Sequence, residues 1–340
     1  MAKKLRVAVV MGGPSAEYEI SLQSGKTIAQ HLNVKKYEVM PIVIDRRRRW
    51  LPAPRFLTSG RIGTRALMPT AEPKRRPFDV ALLALHSFGE DGTVQGFLET
   101  LGVPYTGSGV LASALAMDKK RFKTFCQTLN LLLAGDVLVT AKAWRQSSSR
   151  VLKKIQALGA KVVVKPNDSG SSAGTSIVET AEPAAVAEAV IAAWRVSRTV
   201  LVEEYLRGRE LTVATLGDET KVRALPVIEI VPTKDAFFSY RVKYDGSTKE
   251  ICPARISRRL ARQLSEMAIK VHVGIGASGV IRTDFIMVRG RPYILETNTL
   301  PGMTPESLVP KAARVAGISY GQLLDTLIKL SLQRHRRPSG

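Results

Sequence analysis

Residues 282 to 307 read Arg-Thr-Asp-Phe-Ile-Met-Val-Arg-Gly-Arg-Pro-Tyr-Ile-Leu-Glu-Thr-Asn-Thr-Leu-Pro-Gly-Met-Thr-Pro-Glu-Ser. Two runs rich in apolar and aromatic residues, Asp284 to Val288 and Tyr293 to Leu295, flank Arg289-Gly290. That is the pattern of a β-hairpin. With the turn centred on Gly290 and arms of equal length, Asp284 faces Glu296 and Arg282 faces Asn298. Side chains alternate along a strand, so the four polar groups share one face. Two readings fit such a face. It is a solvated surface, or it sets three oxygen donors for Mg²⁺ beside a guanidinium that meets a developing anion.

The chain has 340 residues, enough for two or three domains, and 45% of them are hydrophobic, as in globular proteins. No run of about 18 apolar residues is present, so no membrane span is expected. Met1 to Lys4 precedes an apolar run that ends at Gly12-Gly13, too short for a secretory leader. Cys126 and Cys252 lie far apart and form neither a metal motif nor a disulfide framework, which suits a reducing cytoplasm. The net charge of +22 is concentrated in Arg46 to Arg49, Lys74 to Arg76, Arg258-Arg259, and Arg334 with Arg336-Arg337. These clusters lack aromatic interleaving for base stacking, so they are expected to be solvated faces and no nucleic acid is expected as a partner.

From the N-terminus, Leu5 to Met11 is a near-continuous apolar run ending in Gly12-Gly13, the pattern of a buried parallel strand and a tight turn. Ser15 to Leu32 reads as a helix, Tyr37 to Ile44 as a strand, residues 46 to 77 as loop, and Phe78 to Leu85 as a third strand. This order predicts a doubly wound α/β domain, in which ligands sit at the carboxyl ends of strands. Glu17 and His86 follow two such ends and are candidates to line one pocket. Further on, residues 134 to 147 read as a connector and Arg150 to Leu158 as a helix. Lys161 to Lys165, Ser176 to Val178, Thr199 to Val202, Glu210 to Leu216 and Val222 to Ile230 read as strands. Residues 233 to 253 read as a long polar-aromatic loop, Arg258 to Val273 as a helix, and about 307 to 330 as a last helix.

Three glycine motifs are set aside. Gly25-Lys26-Thr27 resembles the end of a phosphate-binding Walker loop, but Ile20 stands where that loop needs its first glycine. Gly274 to Gly279 matches G-x-G-x-x-G, yet it follows a helix and opens a strand, the reverse of a dinucleotide fingerprint. Gly107-Ser108-Gly109 opens a helix but follows a proline-containing loop.

Gly170 to Gly174 carries more chemistry. Its small residues let backbone N–H groups approach phosphate oxygens, and Ser171 and Ser172 add hydroxyl donors. Lys165 precedes it and Lys119 sits on an earlier helix, two ammonium groups suited to a polyphosphate. Glu203-Glu204-Tyr205-Leu206 fits a purine-receiving linker, with Glu210 close enough to take ribose hydroxyls. Each also fits an ordinary strand connection.

Taken together, Lys165-Pro166 with Gly170 to Gly174, Glu203 to Leu206, Arg282-Thr283-Asp284 and Glu296-Thr297-Asn298 resemble the ATP-grasp fold. Ser15-Ala16-Glu17, Gly89-Glu90-Asp91-Gly92, Pro104 to Gly109, Ala116 to Lys119 and Glu296 through Pro310 are similar to D-alanine–D-alanine ligases, from about residue 5 to 330. The loop from His86 to Gly92 departs from the family pattern: it is one residue shorter, with Ser87 in place of the first glycine.

The resemblance implies three domains that clasp ATP: an N-terminal doubly wound parallel-sheet domain (1–107) and two α+β domains (108–205 and 206–333). A lid loop would lie at about 233–250 and a basic tail at 334–340. It implies that Lys119, Lys165, Ser171, Ser172 and Lys243 meet phosphates and that Glu203, Glu204, Tyr205, Leu206 and Glu210 hold adenosine. Asp284, Glu296 and Asn298 would bind two Mg²⁺ or Mn²⁺. Glu17, with His86 nearby, would hold the ammonium of a first D-alanine, and Ser171 and Tyr244 would join Glu17 in a hydrogen-bonded set. Arg282 and the Gly302 backbone would stabilise an oxyanion, and Ser307-Leu308 would seat a second D-alanine. The implied product is D-alanyl-D-alanine for peptidoglycan synthesis, made in the cytoplasm by a homodimer. Tyr244 favours D-alanine over D-lactate as second substrate; the alternative is a related ATP-grasp ligase with D-lactate, D-serine or another amino acid as second substrate.

Overall fold

A computed structural model describes residues 3–53, 56, 62, 76–170, 174–232 and 248–336. The chain folds around three sheets. In the first, β1 (Leu5–Gly12) lies between β2 (Tyr37–Ile44) and β4 (Val80–Leu83), parallel to both, and β3 (Trp50–Pro52) adds an antiparallel edge. Helix α1 (Tyr18–His31) follows β1, and α2 (Thr93–Thr100) follows β4. The near-continuous apolar composition of β1 is explained by burial on both faces. Ala8 and Val10 pack with Val94 and Leu98 of α2, while Val7, Val9 and Met11 pack with Ile28 of α1. Gly25 of α1 has a steric reason: a Cβ there would lie 2.7 Å from Met11 Cβ.

Helices α3 (Val110–Met117) and α4 (Lys119–Thr128) lead into the second sheet, whose order is β5-β8-β6-β7. It is formed by β5 (Asp136–Thr140), β6 (Val162–Pro166), β7 (Ser176–Val178) and β8 (Thr199–Glu204), all antiparallel. Helices α5 (Ala141–Gln156) and α6 (Pro183–Trp194) cover it. The connector expected at 134–147 is in fact β5 and the first half of α5, with a break at Ser147 (φ −164°, ψ 87°). Asp-Val-Leu-Val-Thr alternates weakly, and the serines at 147–149 interrupt the helical pattern, so both elements are faint in sequence.

The third sheet runs β12-β11-β9-β13-β14, with β10 paired to β9. Its strands are β9 (Arg209–Gly217), β10 (Val222–Ala224), β11 (Ile228–Pro232), β12 (Thr248–Ile251), β13 (Gly279–Val288) and β14 (Arg291–Asn298). The strand expected over 222–230 is thus two, separated around Pro226, which has no N–H for a ladder. The loop expected over 233–253 contains β12. Helix α7 (Arg258–Gly274) packs on this sheet. On its buried side, His272 Nδ1 meets Thr215 Oγ1 at 2.9 Å, and Nε2 has no hydrogen-bond partner among the described residues.

The last helix expected at 307–330 is two: α8 (Leu308–Val315) and α9 (Tyr320–Arg336), divided at Gly317 (φ 76°). Leu323, Leu324, Leu327 and Ile328 of α9 return to the face of the first sheet that α1 also covers, so the chain's end completes the core of its beginning.

The two glycine loops set aside above meet here. Ser108 Oγ accepts from Ser278 N–H at 3.3 Å, and a Cβ on Gly279 would lie 3.3 Å from Gly107 Cα. They form a packed joint between sheets and carry no nucleotide fingerprint. Two of the basic clusters are also less solvated than expected. Arg76 donates to Leu101 O and Gly102 O, both at 2.6 Å. Arg334, inside α9, donates to the carbonyls of Gly107 and Tyr105 and lies 4.3 Å from the Tyr105 ring centroid. The Arg46 to Arg49 cluster is exposed as expected, with Arg46 4.7 Å from the Tyr18 ring centroid.

Candidate active site

The hairpin β13–β14 pairs Arg282 with Asn298 and Asp284 with Glu296, as the sequence predicts, but by a different route. Arg289 and Gly290 both have positive φ (47° and 77°), the backbone of a two-residue hairpin turn. That turn alone pairs Phe285 with Ile294. A bulge at Leu295 then shifts the register by one residue before Asp284 meets Glu296. The shift exchanges the faces of β14. Pro292 and Ile294 are buried before it; after it Thr297 is buried, and Glu296 and Asn298 turn away from the core. On β13, Ile281, Thr283 and Phe285 are buried, and Arg282 and Asp284 alternate with them. Thr283 and Thr297 hydroxyls meet at 2.9 Å on the core side.

The opposite side opens on a cleft of about 1740 Å³ among the three sheets. Every described candidate lines it: Glu17, His86, Lys119, Lys165, Glu203, Glu204, Tyr205, Leu206, Glu210, Arg282, Asp284, Glu296, Asn298, Gly302, Ser307 and Leu308. Ser171, Ser172, Lys243 and Tyr244 lie outside the described residues.

At the centre, Arg282 Nε and Nη2 each donate to one Asp284 oxygen at 2.8 Å. Burial works against the guanidinium charge, but the Asp284 pair overrides it and holds the group firmly protonated. Asp284 Oδ1 also accepts from Thr212 Oγ1 at 2.6 Å. Asn298 Oδ1 accepts from Leu300 N–H at 2.8 Å and turns the chain into the Pro301-Gly302 loop. A Cβ on Gly302 would lie 3.0 Å from Ser307 Oγ, which itself accepts from Thr304 N–H at 3.1 Å. Asp284, Glu296 and Asn298 offer two carboxylates and an amide oxygen from adjacent strands, a hard donor set that fits Mg²⁺ or Mn²⁺. Among the described residues no three His, Cys, Asp or Glu side chains gather into a metal cluster, so the amide is needed to complete the set.

One wall carries the lysines. Lys119 Nζ donates to Ser169 O at 2.6 Å and lies 3.8 Å from Glu296 Oε2. Lys165 Nζ lies 2.6 Å from Glu203 Oε2, while Lys123 Nζ takes Glu203 Oε1 at 2.6 Å, Asp136 Oδ2 at 3.0 Å and Ala134 O at 2.9 Å. Burial pushes the Glu203 carboxyl up, but the two lysines outweigh it and keep Glu203 ionised. Sequence reasoning missed Lys123 and Asp136; the available signal was Lys123 one helical turn after Lys119. Beyond Glu203, Glu204 Oε1 accepts from Gly135 N–H at 2.7 Å, and Lys161 lies 4.1 Å from the Tyr205 ring centroid.

The other wall is the end of the first sheet. His86 Nε2 meets Ser24 Oγ at 2.9 Å, and Nδ1 lies 3.9 Å from Glu90 Oε1. Burial lowers the His86 pKa; the nearby Glu17 charge opposes this. Burial, reinforced by Glu17, pushes Glu90 up to about 8, so it is a neutral acid near pH 7. Ser87 Oγ donates to Glu17 Oε2. Gly170 closes the gap between the walls: a Cβ on it would sit 3.4 Å from Ser87 Oγ and 3.5 Å from Glu90 Oε2.

Two antiparallel units facing each other across paired lysines and a carboxylate hairpin, with a parallel domain behind them, define the ATP-grasp class. Comparison with known families narrows this. Residues 6–108 match the D-ala D-ala ligase N-terminus and residues 125–329 the D-ala D-ala ligase C-terminus. The chain belongs to the D-alanine–D-alanine ligase family. It is 42% identical over 334 residues to the D-alanine–D-alanine ligase of Syntrophobacter fumaroxidans, covering 97% of this chain and 99% of that one. Its identity to the enzyme of Desulfotalea psychrophila is 39% over 348 residues, covering 100% and 98%. Among solved structures, the VanG D-Ala:D-Ser ligase from Enterococcus faecalis aligns with a TM-score of 0.84 at 30% identity, covering 97% of this chain and 100% of that one. The D-alanine–D-alanine ligase from Bacillus anthracis complexed with ATP aligns at 0.77 and 31%, covering 98% and 99%.

Proposed function

We propose that this protein joins two D-alanine molecules to D-alanyl-D-alanine, converting ATP to ADP and phosphate. The observation that carries the reading is the hairpin face. It brings Arg282, Asp284, Glu296 and Asn298 into one cleft with the two lysines and Glu17.

An amine does not displace oxide from a carboxylate. A carboxylate oxygen of the first D-alanine therefore attacks the γ-phosphorus and releases ADP. The amine of the second then attacks the acyl carbon, phosphate leaves, and the amine loses a proton. Glu17 holds the first ammonium beside His86. Lys119 and Lys165 spread the charge of the phosphates, and Lys243, Ser171 and Ser172 are assigned to the same task. Glu203, Glu204, Tyr205, Leu206 and Glu210 hold adenosine. Asp284, Glu296 and Asn298 would hold two Mg²⁺ or Mn²⁺, which when bound withdraw charge from phosphate oxygens. Arg282 and the Gly302 backbone receive the oxyanion, and Ser307 and Leu308, at the start of α8, take the second carboxylate. Tyr244 and Ser171 complete the Glu17 set.

The domain limits proposed are 1–107, 108–205 and 206–333; each sheet draws its strands from one of these ranges. A homodimer is proposed through the outer face of α2 and α3, where Leu111 is 77% exposed beside Val110 and Phe97. A cytoplasmic setting fits two free cysteines and the family's substrates; no described helix is long and apolar enough to cross a membrane. Nucleic acid is not a proposed partner.

The test is product analysis by mass spectrometry with ATP and D-alanine, D-serine, D-lactate or L-alanine, alongside phosphate release. D-alanyl-D-alanine as the main product, with phosphate released only when D-alanine is supplied, is the expected result. ATP turnover that ignores D-alanine overturns the reading.

A further inference from the structure

Ser87 occupies a backbone conformation that serine avoids. Its φ is +61°, in the left-handed region, and Phe88 N–H donates to His86 O across it at 2.7 Å. That is a three-residue turn with a non-glycine centre at positive φ, a strained arrangement. The turn is held from both sides. Ser15 Oγ donates to the His86 carbonyl at 3.0 Å, and the His86 ring is fixed by Ser24. Phe88 packs so closely over Gly13 that a Cβ there would lie 2.3 Å from its ring. The strain therefore has something to be held for, and the Ser87 side chain indicates what. Its hydroxyl donates to Glu17 Oε2, and Glu17 is 3% exposed.

We infer that Ser87 is a positioning residue for the first amino-acid seat: its strained turn aims a hydroxyl at Glu17 and fixes the carboxylate that meets the substrate ammonium. The inference rests on the proposed role of Glu17. Two facts argue for positioning over simple packing. A glutamate side chain at the start of α1 has rotamers to choose among, and a donor on one oxygen selects one of them. And glycine would hold the turn with less strain, so the hydroxyl is the only part of Ser87 that the fold does not supply more cheaply otherwise.

The strain makes the test decisive, because stability and affinity are expected to move in opposite directions. Ser87→Gly relieves the backbone and deletes the donor. Ser87→Thr keeps the donor and adds β-branching to a left-handed residue. The first seat is read by supplying ATP, D-alanine and a large excess of hydroxylamine, which competes with the second D-alanine for the acyl phosphate and gives D-alanine hydroxamate. Ser87→Gly is expected to melt no lower than wild type while its KM for D-alanine rises about 10-fold, the scale of a hydrogen bond to a charged group. Its KM for ATP is expected to change far less. Ser87→Thr is expected to melt lower with a KM near wild type. The inference is overturned if Ser87→Gly keeps the wild-type KM, or if its melting temperature and affinity fall together. A wild-type protein that makes neither hydroxamate nor D-alanyl-D-alanine would instead overturn the proposed function.

Discussion

Arg282 and Asp284 sit two residues apart on one strand, on the same face, and make two parallel hydrogen bonds of 2.8 Å. A planar guanidinium and a planar carboxylate matched in this way neutralise each other on the wall of the cleft. The assigned oxyanion donor and one assigned metal ligand are therefore coupled before any substrate arrives. Asp284→Asn is expected to raise the Mg²⁺ concentration for half-maximal activity about 10-fold, the scale of perturbing a metal site. A metal titration of initial rates measures it. Arg282→Met is expected to lower kcat about 100-fold, with ATP-analogue binding by calorimetry largely retained.

Lys123 is 2% exposed and touches no open part of the cleft, yet it joins α4 to β5 and β8. Asp136 and Glu203 are register partners on those strands, so without it only Lys120 and Lys165, each on one carboxylate, offset their like charges. Replacing Lys123 by Met is expected to cost about 3–5 kcal/mol of stability. Adding Asp136→Asn should recover part of that loss, because the repulsion goes. Denaturant titration of the single and double variants compares them.

His272 is expected to make stability fall in acid. Burial lowers its pKa to about 4, below the usual 6.5. Above pH 6.5 both folded and unfolded chains hold it neutral. Between about 6.5 and 4 the unfolded chain takes up a proton that the folded chain refuses, so stability declines by about 3 kcal/mol across that window. Unfolding midpoints in urea from pH 7 to 4 should fall less steeply for His272→Gln than for wild type.

Gly25→Ala separates packing from nucleotide chemistry. The added Cβ would press on Met11 at 2.7 Å. Overpacking of this kind costs about 1–3 kcal/mol. The melting temperature is expected to drop while the KM for ATP stays at the wild-type value. A selective loss of ATP affinity would restore the rejected phosphate-loop reading.

The three parallel strands of the first sheet and the closing hairpin were legible because each carries a strong local pattern, continuous apolar runs or alternation around a turn, whereas β3 lies in the stretch 46 to 77 that reads as loop. The candidate residues were legible because their order along the chain resembles a family, and all those described face one cleft. What escaped depends on partners distant in sequence. Glu90 stands in a quoted motif, but nothing local says that burial and Glu17 keep it protonated near neutral pH. Lys123 and Asp136 read as ordinary helix and loop charges until β5 places them beside Glu203. Arg334 looked like a solvated tail because its carbonyl partners lie more than two hundred residues earlier. The hairpin register was right through two compensating departures, a tighter turn and a bulge, that equal arms did not foresee.

That bulge at Leu295 means that folding correctly and becoming competent are one event. A chain that paired β13 and β14 without it would send Glu296 and Asn298 toward the core and Thr297 toward the cleft. Such a slip would leave buried charge and dismantle the proposed divalent-ion site. A misregistered hairpin is thus penalised twice by the same residue, and a folded population should contain few molecules that are native everywhere except at this centre.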